Sequence, residues 1–501
     1  MSVWRQFFAV QPVTDTPAGG TDRLKRALGP WALTAIGLGA TIGTGVFVFT
    51  GQVAAQHAGP AVTISLLIAA FGSVLAALCY SEFASFLPVS GSAYSYAYAT
   101  LGEGIAWFIG WNLTLEYMLS ASAVAVSWSG YVTNLLGSIG IHLPEQLVNA
   151  PLAKAPEGSG AFLSLQATGA IINVPAVLII AVMSWICYVG VKLSSGVNSF
   201  MVALKVGVII VFILAGLAFV DTSLWHPYIP PQTSSGHFGW SGIMTGAAII
   251  FFSYIGFDTA STTALEARNP QRDVPLGILG ALGISAILYV GMSMVMTGMV
   301  PFTQLDVDEP VAVALDAHPQ LRWLGMFVKL GAIIGMTSVI LMSLLGQPRI
   351  LLAMADDGLL PGRMSRCHAR YKTPHVATAV SGTIAAVVAG VFPLDVLGEL
   401  ISMGILLAFA VVCIGVLILR YTRPNTHRPF RVPFAPVTCV AGAAVCLAMT
   451  LALPKETWER LVYWTAIGFA IYAFYGYKHS RLHASARTDN GAVRDARSSE
   501  S

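Results

Sequence analysis

The chain has 501 residues, of which 55% are apolar and only 10% charged, with a net charge of +3 and a mean hydropathy of +0.72. Soluble domains carry roughly 25% charged residues, so this composition excludes a water-clothed globule. The small positive charge, spread over short loops, also excludes nucleic acid as a partner. None of the six cysteines forms a CxxC pair and most lie inside apolar runs. Neither a disulfide framework nor a metal site is implied, and no cofactor is expected.

Residues 1–28 are polar, with Arg5, Arg23, Lys25 and Arg26 ahead of the first apolar run. They read as a cytoplasmic tail rather than a cleavable signal. Apolar runs then fall near 31–54, 60–86, 101–137, 171–191, 196–220, 239–263, 275–300, 323–346, 375–393, 396–420, 433–453 and 459–478. About 20 such residues cross ~30 Å of hydrocarbon as a helix. Only helices and closed barrels satisfy their backbone there, and these runs are too long for barrel strands of ~10 alternating residues. The expected fold is an all-α integral membrane protein of about twelve transmembrane helices within 29–482, followed by a polar, disordered tail at 483–501. Lys and Arg number 21 in the loops and tails on the N-terminal side against 4 in the opposite loops, with Lys205 and Lys329 inside spans. That bias predicts an even number of spans and both termini cytoplasmic. The expected location is the plasma membrane, or the inner membrane of a bacterium.

Two spans carry interruptions. Span one contains Gly37-Leu-Gly-Ala-Thr-Ile-Gly-Thr-Gly45, and span six contains Phe251-Phe-Ser-Tyr-Ile-Gly-Phe-Asp-Thr259. Each glycine costs ~1 kcal/mol in a helix relative to alanine, so these stretches are primed to unwind. Trp31 and Trp240 precede them, 209 residues apart. Close helix packing explains either segment alone. Interruptions at matching positions in two halves point instead to the binding site of an inverted-repeat transporter. The expected organisation is 5+5 with discontinuous helices one and six: repeat one at about 31–220, repeat two at about 239–421, and two extra C-terminal helices at about 433–478.

The stretch Gly39 to Phe47 resembles the Gly-Ala-x-Ile-Gly-Thr-Gly-x-Phe pattern of the amino acid–polyamine–organocation (APC) superfamily, as does the segment from Pro88 to Glu103. Three further stretches resemble its cationic amino acid transporter (CAT) family in the shorter bacterial form. These are Gly110-Trp-Asn-Leu-Thr-Leu-Glu116, Arg349 to Pro361, and Arg423 to Pro433. The resemblance covers about residues 23–482 and implies a carrier of amino acids; bacterial members include carriers of neutral ones.

A zwitterion in a low-dielectric cavity needs donors for its carboxylate and acceptors for its ammonium, and an unwound helix supplies both from its backbone. By resemblance, Gly43, Thr44 and Gly45 meet the carboxylate. The carbonyls around Thr41, Ile42, Phe252, Ser253 and Ile255 meet the amine. Phe257 resembles an aromatic lid, with a plain core aromatic as the alternative. Glu116 lies mid-span, where a carboxylate is costly unless partnered; it is read as facing substrate or titrating during the cycle, against a structural pair. Glu82 reads equally as a salt bridge to a loop arginine, and Asp258 is left open between structure and function. Lys205 lies mid-span where, in proton-coupled relatives, an amine replaces a sodium ion. It is the candidate for proton coupling, reaching carbonyls of span one and hydroxyls such as Thr337 or Ser338. Lys329 reads as an interfacial anchor. Met336 is the candidate wall of the side-chain pocket, and the absence of acid from its stretch of span eight favours neutral, alanine-like substrates.

The expected function is thus proton-coupled secondary transport of L-amino acids by alternating access. An exchanger or facilitator of cationic amino acids is one alternative, and a non-transporting nutrient sensor another. No GxSxG, HExxH or P-loop appears, so an enzyme is not expected. The expected partners are the amino acid, H+ and membrane lipid. An accessory subunit is not readable from sequence.

Overall fold

A computed structural model describes residues 28–86, 92–155, 165–190, 195–257, 267–425 and 428–482. The expected contributions of Asp258 and of both tails lie outside them. The helices are α1 Pro30–Thr41, α2 Val62–Phe86, α3 Ser92–Thr100, α4 Glu103–Ser138, α5 Val174–Val189, α6 Ser195–Gly216 and α7 Gly239–Ile250. They continue as α8 Pro270–Met299, α9 Pro310–Asp316, α10 Arg322–Asp356, α11 His375–Val391, α12 Leu394–Thr422, α13 Ala435–Leu451 and α14 Lys455–Ile471. A helical run at 45–58 continues span one beyond its break.

Among the described residues, five helical stretches are long and apolar enough to cross a membrane: Gly45–Ser85, Ser199–Phe219, Pro270–Met299, Pro319–Asp356 and Leu394–Thr422. Val174–Val189 and His375–Val391 are shorter and apolar, and Ala435–Leu451 with Lys455–His479 makes a pair bent by 108°. The fold is helical throughout apart from a feature the all-α expectation lacks. Leu152–Lys154 pairs antiparallel with Leu165–Ala167, Leu152 opposite Ala167, in the connection after α4. A hairpin there needs no hydrophobic periodicity, because it lies outside the apolar runs.

The core is built around α4, where no residue from Glu103 to Gly137 is exposed. It packs along α10 and α12, while α8 packs against α1 and α2. Peripheral helices show one apolar face outward: on α6, Phe200 and Leu214 are exposed whereas Val202, Lys205, Ile209 and Phe212 are buried at helical spacing. That stripe turns a lysine toward the centre of the bundle.

Some of the span-one glycines serve packing. A Cβ on Gly37 would stand 2.7 Å from Ala281 of α8, and one on Gly277 would stand 2.6 Å from Leu33. Small residues on both helices therefore bring α1 and α8 together.

Candidate functional site

The two interrupted spans break alike. Helices α1 and α7 are each 12 residues long and begin 209 positions apart. After α1, Ile42 turns extended at ψ 104° and the helix restarts at Thr44. After α7, the chain tightens through Phe251–Tyr254, Ile255 turns extended at ψ 148°, and Gly256 takes φ 108°. Only glycine adopts that φ without strain.

The breaks press on one another. A Cβ on Gly256 would stand 2.7 Å from the carbonyl carbon of Ala40, and one on Gly45 would overlap Ser253.

Breaking α1 removes the acceptors' usual partners, since each carbonyl normally receives the amide four residues on. The protein supplies substitutes. Lys205 Nζ donates to the carbonyl oxygens of Gly39 at 2.7 Å and Ile42 at 2.9 Å. Tyr289 OH donates to the Thr41 carbonyl at 3.0 Å. Lys205 thus reaches the unwound span one as expected, but the hydroxyls of span eight are spent elsewhere. Thr337 Oγ1 donates to Ile333 and accepts from Trp128 Nε1, while Ser338 Oγ donates to Gly335.

A cavity of about 30 Å³ lies at the crossing, room for a water or two. Seven expected residues line it: Thr41, Gly43, Thr44, Gly45, Glu116, Phe252 and Ile255. The first intrahelical bond after the break runs from Phe47 N–H to Gly43 O at 3.4 Å, so the amides before it point out of the helix end. The hydroxyls of Thr41, Thr44 and Ser253 are buried without a protein partner. Buried polar groups are rarely left so, and a polar ligand would satisfy those of Thr41 and Thr44, which line the cavity.

Four expected residues do not line the cavity. Ser253 packs beside Gly45 just behind it, and the Ile42 carbonyl is held by Lys205. Phe257 is fully buried against Phe409 and Tyr80, with ring centroids 5.3 and 6.3 Å away. The aromatic residues in the wall are Tyr117 and Phe252, the latter edge-on to Phe49 at 5.3 Å. Met336 is fully buried, and span eight reaches the cavity through Val339, Met342 and Ser343 instead.

Sequence reasoning also passed over Tyr117, Ser120 and Val124. Positions 116, 120 and 124 share one helix face, so Glu116 itself signalled two of them. Likewise Val339 and Ser343 continue the face of Met336 one and two turns further along.

Several charges outside the cavity are tied into ion pairs. Glu82 is fully buried and holds Arg420 at 2.5 Å, Arg428 at 3.3 Å and the Val432 amide at 2.8 Å. Lys329 pairs with Asp316 at 3.1 Å. Glu399 gathers Lys154, Arg460 and Thr457. No group of three His, Cys, Asp or Glu residues is placed to hold a metal among the described residues.

Two interrupted helices meeting at a buried cavity with polar groups in its wall are a layout that solute carriers use. Residues 28–472 match the family model of amino acid permeases, and the chain belongs to that family within the APC superfamily. The methylthioribose transporter of Bacillus subtilis (strain 168) is 43% identical over 92% of this chain and 95% of its own. The branched-chain amino acid permease BcaP of the same organism is 43% identical over 93% of this chain and 96% of its own. The vacuolar cationic amino acid transporter 4 of Arabidopsis thaliana is 40% identical over 81% of this chain and 65% of its own. The chain is thus a multi-pass membrane permease, with transporters rather than enzymes as its relatives.

Proposed function

We propose that the chain is a secondary active transporter of neutral L-amino acids, working by alternating access and coupled to protons through Lys205. Its organisation is taken as twelve spans in a 5+5 inverted repeat, about 31–220 and 239–421, with an added hairpin at 433–478. Both termini are taken as cytoplasmic, on the Lys/Arg bias.

The observation that carries this reading is the crossing of two broken helices at one cavity. Free amides from 43–45 and the Thr44 hydroxyl suit a carboxylate. Glu116 in the same wall suits an ammonium. Val124, Val339, Met342 and Phe252 leave an apolar side for the substrate's side chain, which favours neutral substrates over lysine or arginine. Because the cavity is small, binding must widen it, which is what an alternating-access cycle does. Phe257, Met336 and Ile42 support substrate from behind the wall. A branched-chain permease at 43% identity supports the same side-chain class.

A second reading follows from the methylthioribose transporter at equal identity. Such a sugar carries neither the carboxylate that the helix-end amides suit nor an ammonium. Uptake of labelled leucine and alanine into proteoliposomes, with and without an inward proton gradient, tests the proposal. Gradient-driven accumulation is expected, competed by neutral amino acids and not by methylthioribose. Uptake of methylthioribose alone would replace the first reading by the second, and gradient-independent uptake would end proton coupling.

A further inference from the structure

Helices α5 and α11 lie side by side, and both pack on α4 and α10, which carry walls of the cavity. Along their seam runs an apolar groove of about 530 Å³. On α5 it follows Val177, Ala181, Ser184 and Tyr188 at helical spacing. The facing positions on α11 are Ala379, Gly382 and Ala386. Small residues make the depth: a Cβ on Gly382 would overlap Ser184 Oγ, so the two helices close together beneath the groove. The exposed side chains of Trp185 and Val387 flank it. From Val177 to Tyr188 the helix rises about 16 Å, roughly half of the ~30 Å hydrocarbon layer. The groove therefore has the reach of one leaflet.

Its Tyr188 end is basic. The turn before α11 is clamped onto the end of α5, where Thr373 Oγ1 donates to the Tyr188 carbonyl at 2.8 Å. The Tyr188 ring meets those of His368, Tyr371 and His375, with centroids 5.8, 6.3 and 6.2 Å away. Arg370 stands 5.6 Å over the Tyr371 ring. Arg349 of α10 is within electrostatic reach of Cys187, one residue before Tyr188. Arg349, Arg363, Arg366, Arg370 and Lys372 are all exposed, and among the described residues none of them is in an ion pair. The acids between Arg349 and Lys372 are Asp356 and Asp357, and Asp357 accepts from the hydroxyl of Tyr94 at 2.7 Å. Cations without counter-charge thus gather where Trp185 and Tyr188 suit the membrane interface. Two polar atoms at this end are unanswered as well. Ser184 Oγ, one turn in from Tyr188, and His375 Nδ1 are buried without a protein partner, which is rare for buried polar groups.

We propose that this groove holds one anionic phospholipid of the leaflet on the Lys/Arg-rich side. An acyl chain lies between α5 and α11, an ester carbonyl accepts from Ser184 Oγ, and the phosphate sits on Arg370, Lys372 and Arg349. The planar guanidinium suits phosphate because it donates two parallel bonds to its oxygens. The apolar groove selects a chain, and the unpaired cations select a charged headgroup. A partner's helix would fill the groove and leave the cations unanswered. A free anion would answer the cations and leave the groove empty. The site lies apart from the broken-helix cavity and does not depend on what that cavity carries.

Native mass spectrometry of the purified, delipidated chain counts bound lipid as phosphatidylglycerol, or phosphatidylcholine with the same acyl chains, is titrated in. One phosphatidylglycerol should bind at least about tenfold more tightly than phosphatidylcholine. Arg370→Ala/Lys372→Ala should lose that preference. Arg322→Ala/Lys455→Ala, at exposed positions on the Lys/Arg-poor side, should keep it. Thr383→Trp, at an exposed position in the lining, fills the groove and should lose the first bound lipid of either kind. Equal affinity for the two lipids overturns the proposal. So does a preference that survives in Arg370→Ala/Lys372→Ala or falls as far in Arg322→Ala/Lys455→Ala. Displacement of phosphatidylglycerol by an equal concentration of glycerol 3-phosphate would show a free-anion site and overturns it too, as does a first lipid retained by Thr383→Trp. Should one of the two site variants not fold, the other decides, since each removes one half of the contact.

Discussion

Gly43 and Gly45 look equivalent in the sequence, yet alanine at the two sites should fail for opposite reasons. A Cβ on Gly45 would overlap Cα, Cβ and Oγ of Ser253. Part of that obstacle is backbone, so no rotamer relieves it, and the broken segments must part. Overpacking of this kind costs roughly 1–3 kcal/mol. Lower backbone entropy in the unfolded chain returns about 0.5–1 kcal/mol. The net expectation for Gly45→Ala is a loss of about 1–2 kcal/mol. A Cβ on Gly43 meets only the Val339 side chain, with Cγ2 nearest at 3.0 Å. That is a side chain which can turn, so stability should stay within about 0.5 kcal/mol of the parent. Gly43 nevertheless lines a cavity of about 30 Å³, where an added methyl beside Val339 should hinder close approach of a carboxylate to the helix end. Thermal unfolding followed with a thiol-reactive dye suits this protein, because Cys79, Cys187, Cys413, Cys439 and Cys446 are buried. Gly45→Ala should melt several degrees lower, whereas Gly43→Ala should melt with the parent and bind substrate at least about tenfold more weakly, a change of 1.4 kcal/mol. The reasoning is refuted if Gly45→Ala melts with the parent, or if Gly43→Ala binds normally.

Lys205→Ala should abolish proton-driven accumulation and leave the Gly39 and Ile42 carbonyls without their donor, at about 1–3 kcal/mol each. Uptake under an imposed gradient checks the first effect and dye melting the second. Glu116→Gln retains size but not charge, so transport should fall by more than stability does; full activity from pH 5 to 8 would make Glu116 structural. Glu82→Gln leaves Arg420 and Arg428 facing a neutral group in a buried site. It should cost about 3 kcal/mol and show as lowered melting with unchanged substrate affinity in the protein that remains folded.

Much of the fold was legible because lipid imposes rules that single residues reveal. Apolar length, glycine clusters and one buried lysine depend only on local sequence and on the cost of polar groups in hydrocarbon. The interruptions within 37–45 and 251–259 could be read that way, and the 209-residue spacing of Trp31 and Trp240 recurs in the starts of helices α1 and α7. So could Lys205, whose donors reach the carbonyls that the first break exposes.

What sequence could not give was which member of a helix face reaches the centre. Met336, Val339 and Ser343 share a face, yet only the latter two line the cavity, because depth along a span depends on how α10 crosses α4 and the unwound turns. Phe252 and Phe257 differ in the same way. Phe252 precedes Gly256 and Phe257 follows it, and the positive φ there sends Phe257 to Tyr80 and Phe409 while Phe252 stays at the cavity. Tyr289 had no local signal at all, since its role is to answer a Thr41 carbonyl 248 residues away. The sequence determined where the chain must break, because the weakness of a helix is written in its own residues. Tertiary structure decided what meets the break, because that depends on packing between segments far apart in the chain.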